Sequence, residues 1–145
     1  MPITSLPNIN PEFIKELIPQ REPIIMVDAI LEYEESKVVG GLMVSEDCIF
    51  VENNTLKEPG VLEHMAQTVA LYTGYEYYLK NMQAPVGYIG SMKNVEILRL
   101  PKIGEKLVTT ATILHEIMGV TLVNIETKVD EKIIAFGEMK TVIAE

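Results

Sequence analysis

The feature that most constrains this chain is a single long helical signal at residues 59–80, set among segments that otherwise read as strands. Leu62, Met65, Ala66, Val69, Ala70 and Thr73 recur there at three- and four-residue spacing, the period of a helix with apolar side chains turned inward. Pro59 supplies the fixed φ that opens a helix, and Glu58 can accept backbone hydrogen bonds near its first turn. A shorter helix is predicted at residues 11–18, with Pro11 at its start, Glu12 in the first turn and Phe13, Ile14, Leu17 and Ile18 apolar. Pro19 and Pro23 end it.

Residues 24–33 and 37–44 read as two strands joined near residues 34–36, whereas residues 47–57 lose periodicity and are expected to form a loop. Within that loop Glu52, Asn53, Asn54 and Thr55 favour turns. After the long helix, strand patterns return at residues 86–98, 106–116, 121–129 and 133–143, punctuated by Pro101, Gly104, Gly119 and the turn Asp130, Glu131, Lys132. One long helix segregated from an antiparallel run implies an α+β architecture with the helix on one face of the sheet. No repeat or linker divides the chain, and 145 residues with 48% hydrophobic content suit a single domain over residues 1–145.

Charge and motif content narrow the function. Twelve basic against 21 acidic residues give a net charge of −9, which repels phosphate backbones, so no nucleic-acid partner is expected. No apolar run approaches the roughly 18 residues that span a bilayer. The only cysteine, Cys48, can form no intrachain disulfide, and residues 1–7 lack the basic patch and apolar run of a secretory signal, which makes the cytoplasm the expected compartment. The sequence has no metal-ligand spacing, phosphate loop or nucleotide fingerprint, so neither metal nor cofactor is expected.

On a helical wheel of about 100° per residue, Leu62, Ala66, Val69 and Thr73 fall together as the expected buried face, and Glu63, Gln67, Ala70 and Gly74 form the adjoining stripe. Glu63 thus borders the buried face among small residues that admit another backbone or a slender ligand. A first-turn acid also interacts with the helix dipole, and from spacing alone that plainer reading of Glu63 is preferred. The N–H groups of Gly60 and Val61 have no earlier helical carbonyl and suit either an oxyanion or, as at most helix starts, water or a loop side chain. His64 follows Glu63 and points about 100° away, which makes joint action on one substrate difficult. His115, in phase with Ile113 and Ile117, reads as a structural or interface residue, Tyr72, Tyr75, Tyr77 and Tyr78 as packing, and Cys48 as an inert buried thiol.

Four short motifs in order then resemble one family. Residues 17–28, LIPQREPIIMVD, look like the "LLPHRYPFLLVD" opening of the hot-dog-fold 3-hydroxyacyl-[acyl-carrier-protein] dehydratases. Residues 59–67, PGVLEHMAQ, resemble that family's "PGVLIxEAMAQ" with two residues fewer before the glutamate, and residues 88–92 with PKIGEKL at 101–107 are similar to its strand ending in "PVxPGDxL". The likeness runs from about Leu17 to the C-terminus. It implies the hot-dog fold, a curved antiparallel sheet wrapped around one long central helix. It also implies an active site at a dimer interface, where a histidine of one subunit removes a proton from C2 of a 3-hydroxyacyl thioester and a helix carboxylate of the other assists loss of the C3 hydroxyl.

Carried over residue by residue, Glu63 matches the helix acid and Gln67 the glutamine four residues on, the pair expected to be catalytic. Gly60 and Val61 match the helix-start amides that hold the thioester carbonyl. The chain departs from the family where its histidine should stand, in a "GHFP" stretch before the helix: here the residues are Phe50, Val51, Glu52, Asn53, Asn54, Thr55, Leu56 and Lys57. Asn53 and Asn54 suit a hydrogen bond to a substrate oxygen, but an amide is no base near neutral pH.

The resemblance therefore implies a dehydratase-like protein of fatty-acid or polyketide-type metabolism, acting on acyl-carrier-protein or coenzyme A thioesters. It would work as a homodimer by an altered mechanism or as a heterodimer with a related hot-dog subunit that donates the histidine. Two alternatives stand beside it: a hot-dog thioesterase using Glu63, Gln67 and Gly60, and a non-catalytic acyl-binding protein. Either anionic carrier would need a local basic patch, for which Lys93, Arg99, Lys102 and Lys106 are the candidates.

Overall fold

The computed structural model describes residues 5–144. Helix α1 spans Pro11–Leu17 and α2 spans Glu58–Leu79. The strands are β1 Ala29–Glu34, β2 Lys37–Met43, β3 Val51–Glu52, β4 Thr55–Leu56, β5 Gly87–Ile97, β6 Lys106–Ile117, β7 Val120–Val129 and β8 Lys132–Ile143. Six of them form one antiparallel sheet in the order β1-β2-β6-β7-β8-β5, and β3 with β4 makes a separate hairpin. The α+β architecture with one long helix on an antiparallel sheet is the expected one.

Local chemistry accounts for the elements. The Asn10 side chain accepts the Glu12 N–H at 2.9 Å and caps α1, whose Phe13, Ile14 and Leu17 are buried against α2. Lys57 stands at the N-cap of α2 without a side-chain cap, so Glu58 opens the helix only as a first-turn acid beside Pro59. Two glycines let backbones approach α2: a Cβ on Gly40 of β2 would lie 3.1 Å from Thr68 and Leu71, and one on Gly74 would lie 2.0 Å from the Leu17 carbonyl oxygen.

Three expectations are corrected. The side of α2 against the sheet is Val61, His64, Met65, Thr68, Leu71, Tyr72 and Tyr75, while Leu62, Ala66 and Thr73 of the expected face are only half-buried. Apolar residues surround this helix, so no single stripe marks its core side. The first strand begins at Ala29 rather than residue 24, because residues 24–26 are held by α2 side chains instead of by a strand. The expected loop at 47–57 contains the β3–β4 hairpin, with Asn53 and Asn54 at its tip at φ 53° and 64°, a left-handed pair that asparagine tolerates.

The sheet edges differ. An antiparallel bridge between Asn8 and Ile30 covers part of β1. At the other edge β5 pairs only with β8, and Tyr88, Ile89 and Met92 on it are 63%, 47% and 36% exposed.

Candidate active site

A cavity of about 510 Å³ opens between α2, the chain at residues 15–21 and the start of β5 beside the end of β8. Glu63, Ala66, Val69, Ala70, Thr73 and Gly74 form its α2 wall. The small side chains that border Glu63 on the wheel thus line open space, and the half-burial of this side of α2 follows.

Glu63 is fixed rather than loose. Gln67, one turn on and completely buried, donates from Nε2 to Glu63 Oε2 at 2.7 Å and to the Ile24 carbonyl at 3.0 Å, while its Oε1 accepts the Met26 N–H at 2.6 Å. All three bonds fix the orientation of the amide, because only its oxygen can accept from Met26. Gln67 is therefore a positioning residue, and Glu63 is the group that faces the cavity.

His64 points the other way, into the sheet. Its Nδ1 donates to the Met26 carbonyl at 2.7 Å and its Nε2 accepts from the Thr109 hydroxyl at 2.8 Å, which is in turn 2.7 Å from the Thr127 hydroxyl. Complete burial lowers its pKa to about 4, against a smaller opposing effect of the Met26 bond, so the ring is neutral at physiological pH. His115 lies exposed on β6 opposite Leu122 and outside the cavity wall. Neither histidine of the chain faces Glu63.

The structure brings Glu63 and Gln67 together and places the other expected site residues elsewhere. The N–H groups of Gly60 and Val61 both donate to the Lys57 carbonyl, at 2.9 and 3.2 Å. A Cβ on Gly60 would meet Leu56 at 2.5 Å and Phe50 at 2.8 Å, so this glycine lets the β3–β4 hairpin sit against the helix start. Asn53 and Asn54 form the hairpin tip, and none of these four lines the cavity.

The expected basic patch is also divided. Arg99 donates to both oxygens of Glu105, at 2.8 and 3.3 Å, and this guanidinium with the Lys102 N–H holds the Glu105 carboxyl below its ordinary range. Lys106 is on β6 and Lys93 on β5, with two strands between them, a separation of about 14 Å or more.

Tyr72 and Tyr75 are buried and pack with Phe13, Tyr33 and Tyr78, as expected of core aromatics. Residues 15–21, which form one cavity wall, hold no residue expected at the site from the sequence. The available signals are the family-like motif that begins at Leu17 and the prolines Pro19 and Pro23, which exclude both helix and central strand there. Among the described residues no helix is long and apolar enough to cross a membrane, and no group of three or more His, Cys, Asp or Glu could hold a metal ion.

A six-stranded antiparallel sheet on one long helix, with a helix carboxylate at a cavity, is the arrangement of a hot-dog protein. The ApeP dehydratase model of the ApeP-like family matches residues 12–144, and the chain belongs to that family. It is 31% identical over 132 residues to the 3-hydroxyacyl-[acyl-carrier-protein] dehydratase FabZ of Burkholderia mallei (strain SAVP1), covering 87% of this chain and 85% of that one. The FabZ of Burkholderia cenocepacia (strain HI2424) is 29% identical over 138 residues, covering 91% and 89%. Among solved structures, the dehydratase heterocomplex ApeI:P of Xenorhabdus doucetiae is similar with a TM-score of 0.86 at 16% identity, covering 98% of this chain and 93% of that one. A hypothetical thioesterase with coenzyme A from Streptococcus pneumoniae TIGR4 shares the fold at a TM-score of 0.63 and 10% identity, with 79% and 84% covered. The family is one of dehydratases, which as a class are hydro-lyases.

Proposed function

We propose that this chain supplies the acid of a 3-hydroxyacyl-thioester dehydration site whose base is a histidine of a second hot-dog subunit. One observation carries the reading: Glu63 is held by Gln67 on a cavity wall that contains no histidine, and His64 spends both ring nitrogens inside the core. The exposed apolar edge of β5 adjoins that cavity and gives a second subunit a place to extend the sheet. The similarity to a dehydratase heterocomplex supports a related but different partner.

In this reaction the partner's imidazole takes the C2 proton, and the C2–H electron pair becomes the C2=C3 double bond. The C3–O bond breaks with its electrons on oxygen, and the Glu63 carboxyl proton completes the departing water. The product is the 2-enoyl thioester. The substrate is an acyl thioester of an acyl carrier protein or of coenzyme A.

Mass spectrometry of the chain alone, and mixed with a histidine-bearing hot-dog dehydratase subunit, tests the proposal on 3-hydroxyacyl thioesters. The mixture is expected to give enoyl product that falls by about 10²-fold or more in Glu63→Gln, and the chain alone none. Glu63-dependent release of free thiol would move the assignment to a thioesterase. Enoyl formation indifferent to Glu63→Gln would refute the role of the acid.

A further inference from the structure

We infer that His64 is a positioning residue for Glu63, acting through the main chain at Met26 and through Gln67. On the helical wheel Gln67 lies between its two neighbours, about 40° from Glu63 and about 60° from His64, so it is the side chain able to join the cavity side of α2 to the sheet side.

Both main-chain groups of Met26 are held by α2: its carbonyl accepts from His64 Nδ1 at 2.7 Å and its N–H donates to Gln67 Oε1 at 2.6 Å. The Met26 carbonyl can only accept, which fixes the proton on Nδ1 and leaves Nε2 as the acceptor of the Thr109 hydroxyl. Thr109, its proton used, accepts from Thr127, its cross-strand partner on β7. Five donors in series thus run from the middle of the sheet to the carboxylate: Thr127 to Thr109, Thr109 to His64, His64 to Met26, Met26 to Gln67, and Gln67 to Glu63.

The consequence for Glu63 follows from the amide of Gln67. While Met26 N–H occupies Oε1, Nε2 must face the carboxylate. Were Met26 released, the amide could turn and set its oxygen against Glu63, replacing a donor by a repelling acceptor. His64 holds the main chain at Met26 in place from the adjoining carbonyl and does not line the cavity. Only the kinetic arm of the test below rests on the dehydratase reading.

Two near-isosteric variants separate this role from packing. In His64→Asn the side-chain N–H₂ stands where Nδ1 was and keeps the Met26 bond, whereas His64→Gln carries its amide out to the position of Nε2 and loses it. In the full-length chain, the Gln67 side-chain amide and the Glu63 carboxyl carbon, assigned by Glu63→Gln, are followed by ¹⁵N and ¹³C NMR. His64→Asn is expected to keep both signals near their wild-type positions, and His64→Gln to move both toward those of solvated side chains. Equal behaviour of the two variants, in either direction, overturns the inference.

If His64→Gln does not fold, His64→Leu takes its place, filling the volume of the ring with no donor to the Met26 carbonyl. It is expected to move the same signals in the same direction, and wild-type signals there overturn the inference as well. With the partner subunit present, His64→Gln is expected to lower kcat by about tenfold to a hundredfold at unchanged KM, and His64→Asn to restore most of it. Absence of enoyl product from the wild type would remove the dehydratase reading, while the NMR contrast would still decide the role of His64.

Discussion

The two sides of α2 are built to different rules although they share one helix. Toward the sheet, Val61, His64, Met65, Thr68 and Leu71 have no exposed surface, and the polar atoms among them are paired, His64 at both nitrogens and Thr68 with the His64 carbonyl. Toward the cavity, Glu63, Ala66, Ala70 and Thr73 are only half-buried and, Glu63 apart, small. Adjacent residues Glu63 and His64 consequently meet opposite surroundings, open space and a closed core. Only the cavity side leaves a group open to a ligand, and the other side is packed core, with Gln67 bridging the two.

One substitution on each side is the strongest way to break that contrast. Met65→Ala empties a fully buried site and is expected to cost about 2–5 kcal/mol of unfolding free energy. Ala66→Ser, on the cavity wall, is expected to stay within about 0.5 kcal/mol. Urea unfolding of both measures the difference, and similar losses would mean that the cavity side is as tightly packed as the sheet side.

Next in size is the response to acid. Above pH 6.5 His64 is neutral in both the folded and unfolded chain and contributes no pH dependence. Between 6.5 and about 4 the unfolded histidine binds a proton that the buried one refuses, so stability falls with pH. Below about 4 both forms are protonated and the loss levels off at about 3 kcal/mol, since each tenfold difference in proton affinity between the two states is worth about 1.4 kcal/mol. The difference between wild type and His64→Asn in urea unfolding from about pH 7.5 to about pH 4 isolates this contribution from that of the carboxylates. Parallel pH curves for the two proteins would place His64 in contact with water.

A smaller effect is expected at the tip of the β3–β4 hairpin. Asn54 sits at φ 64°, so Asn54→Ala is expected to cost about 1 kcal/mol and Asn54→Gly close to nothing, measured by thermal unfolding. That ordering is the signature of a turn residue. A large loss of substrate affinity in Asn54→Gly at unchanged stability would instead restore the substrate contact expected from the sequence.

These contrasts explain which parts of the molecule are legible in the sequence. The long helix, its α+β setting and the pairing of Glu63 with Gln67 follow from periodicity and a motif spacing, both local properties. The core side of α2 is hidden because apolar residues encircle a central helix, and only the sheet decides which of them it covers. Hydrogen bonds across 41 residues, such as Gln67 with Met26, leave no trace in local spacing, so residues 24–26 read as strand. Gly60 and Val61 look free because helix-start amides lack an earlier helical carbonyl, yet a tight first turn lets Lys57 serve both. Asn53 and Asn54 do carry a usable signal, since an asparagine pair suits a two-residue hairpin turn.

The smallest expected effect contrasts a surface network with the buried one. The Arg99–Glu105 pair has the bidentate geometry that favours strong pairing, at 2.8 and 3.3 Å, but its side chains are 43% and 26% exposed. Water screens such a pair and ordering two long side chains opposes it, so Arg99→Ala is expected to cost no more than about 1 kcal/mol, less at high salt. Its charge is already matched by Glu105, so the same variant is expected to leave affinity for an anionic acyl carrier near that of the wild type in calorimetric titration. A marked loss of carrier affinity would show that Arg99 leaves Glu105 to meet the carrier, and would return it to the docking surface from which its ion pair now withdraws it.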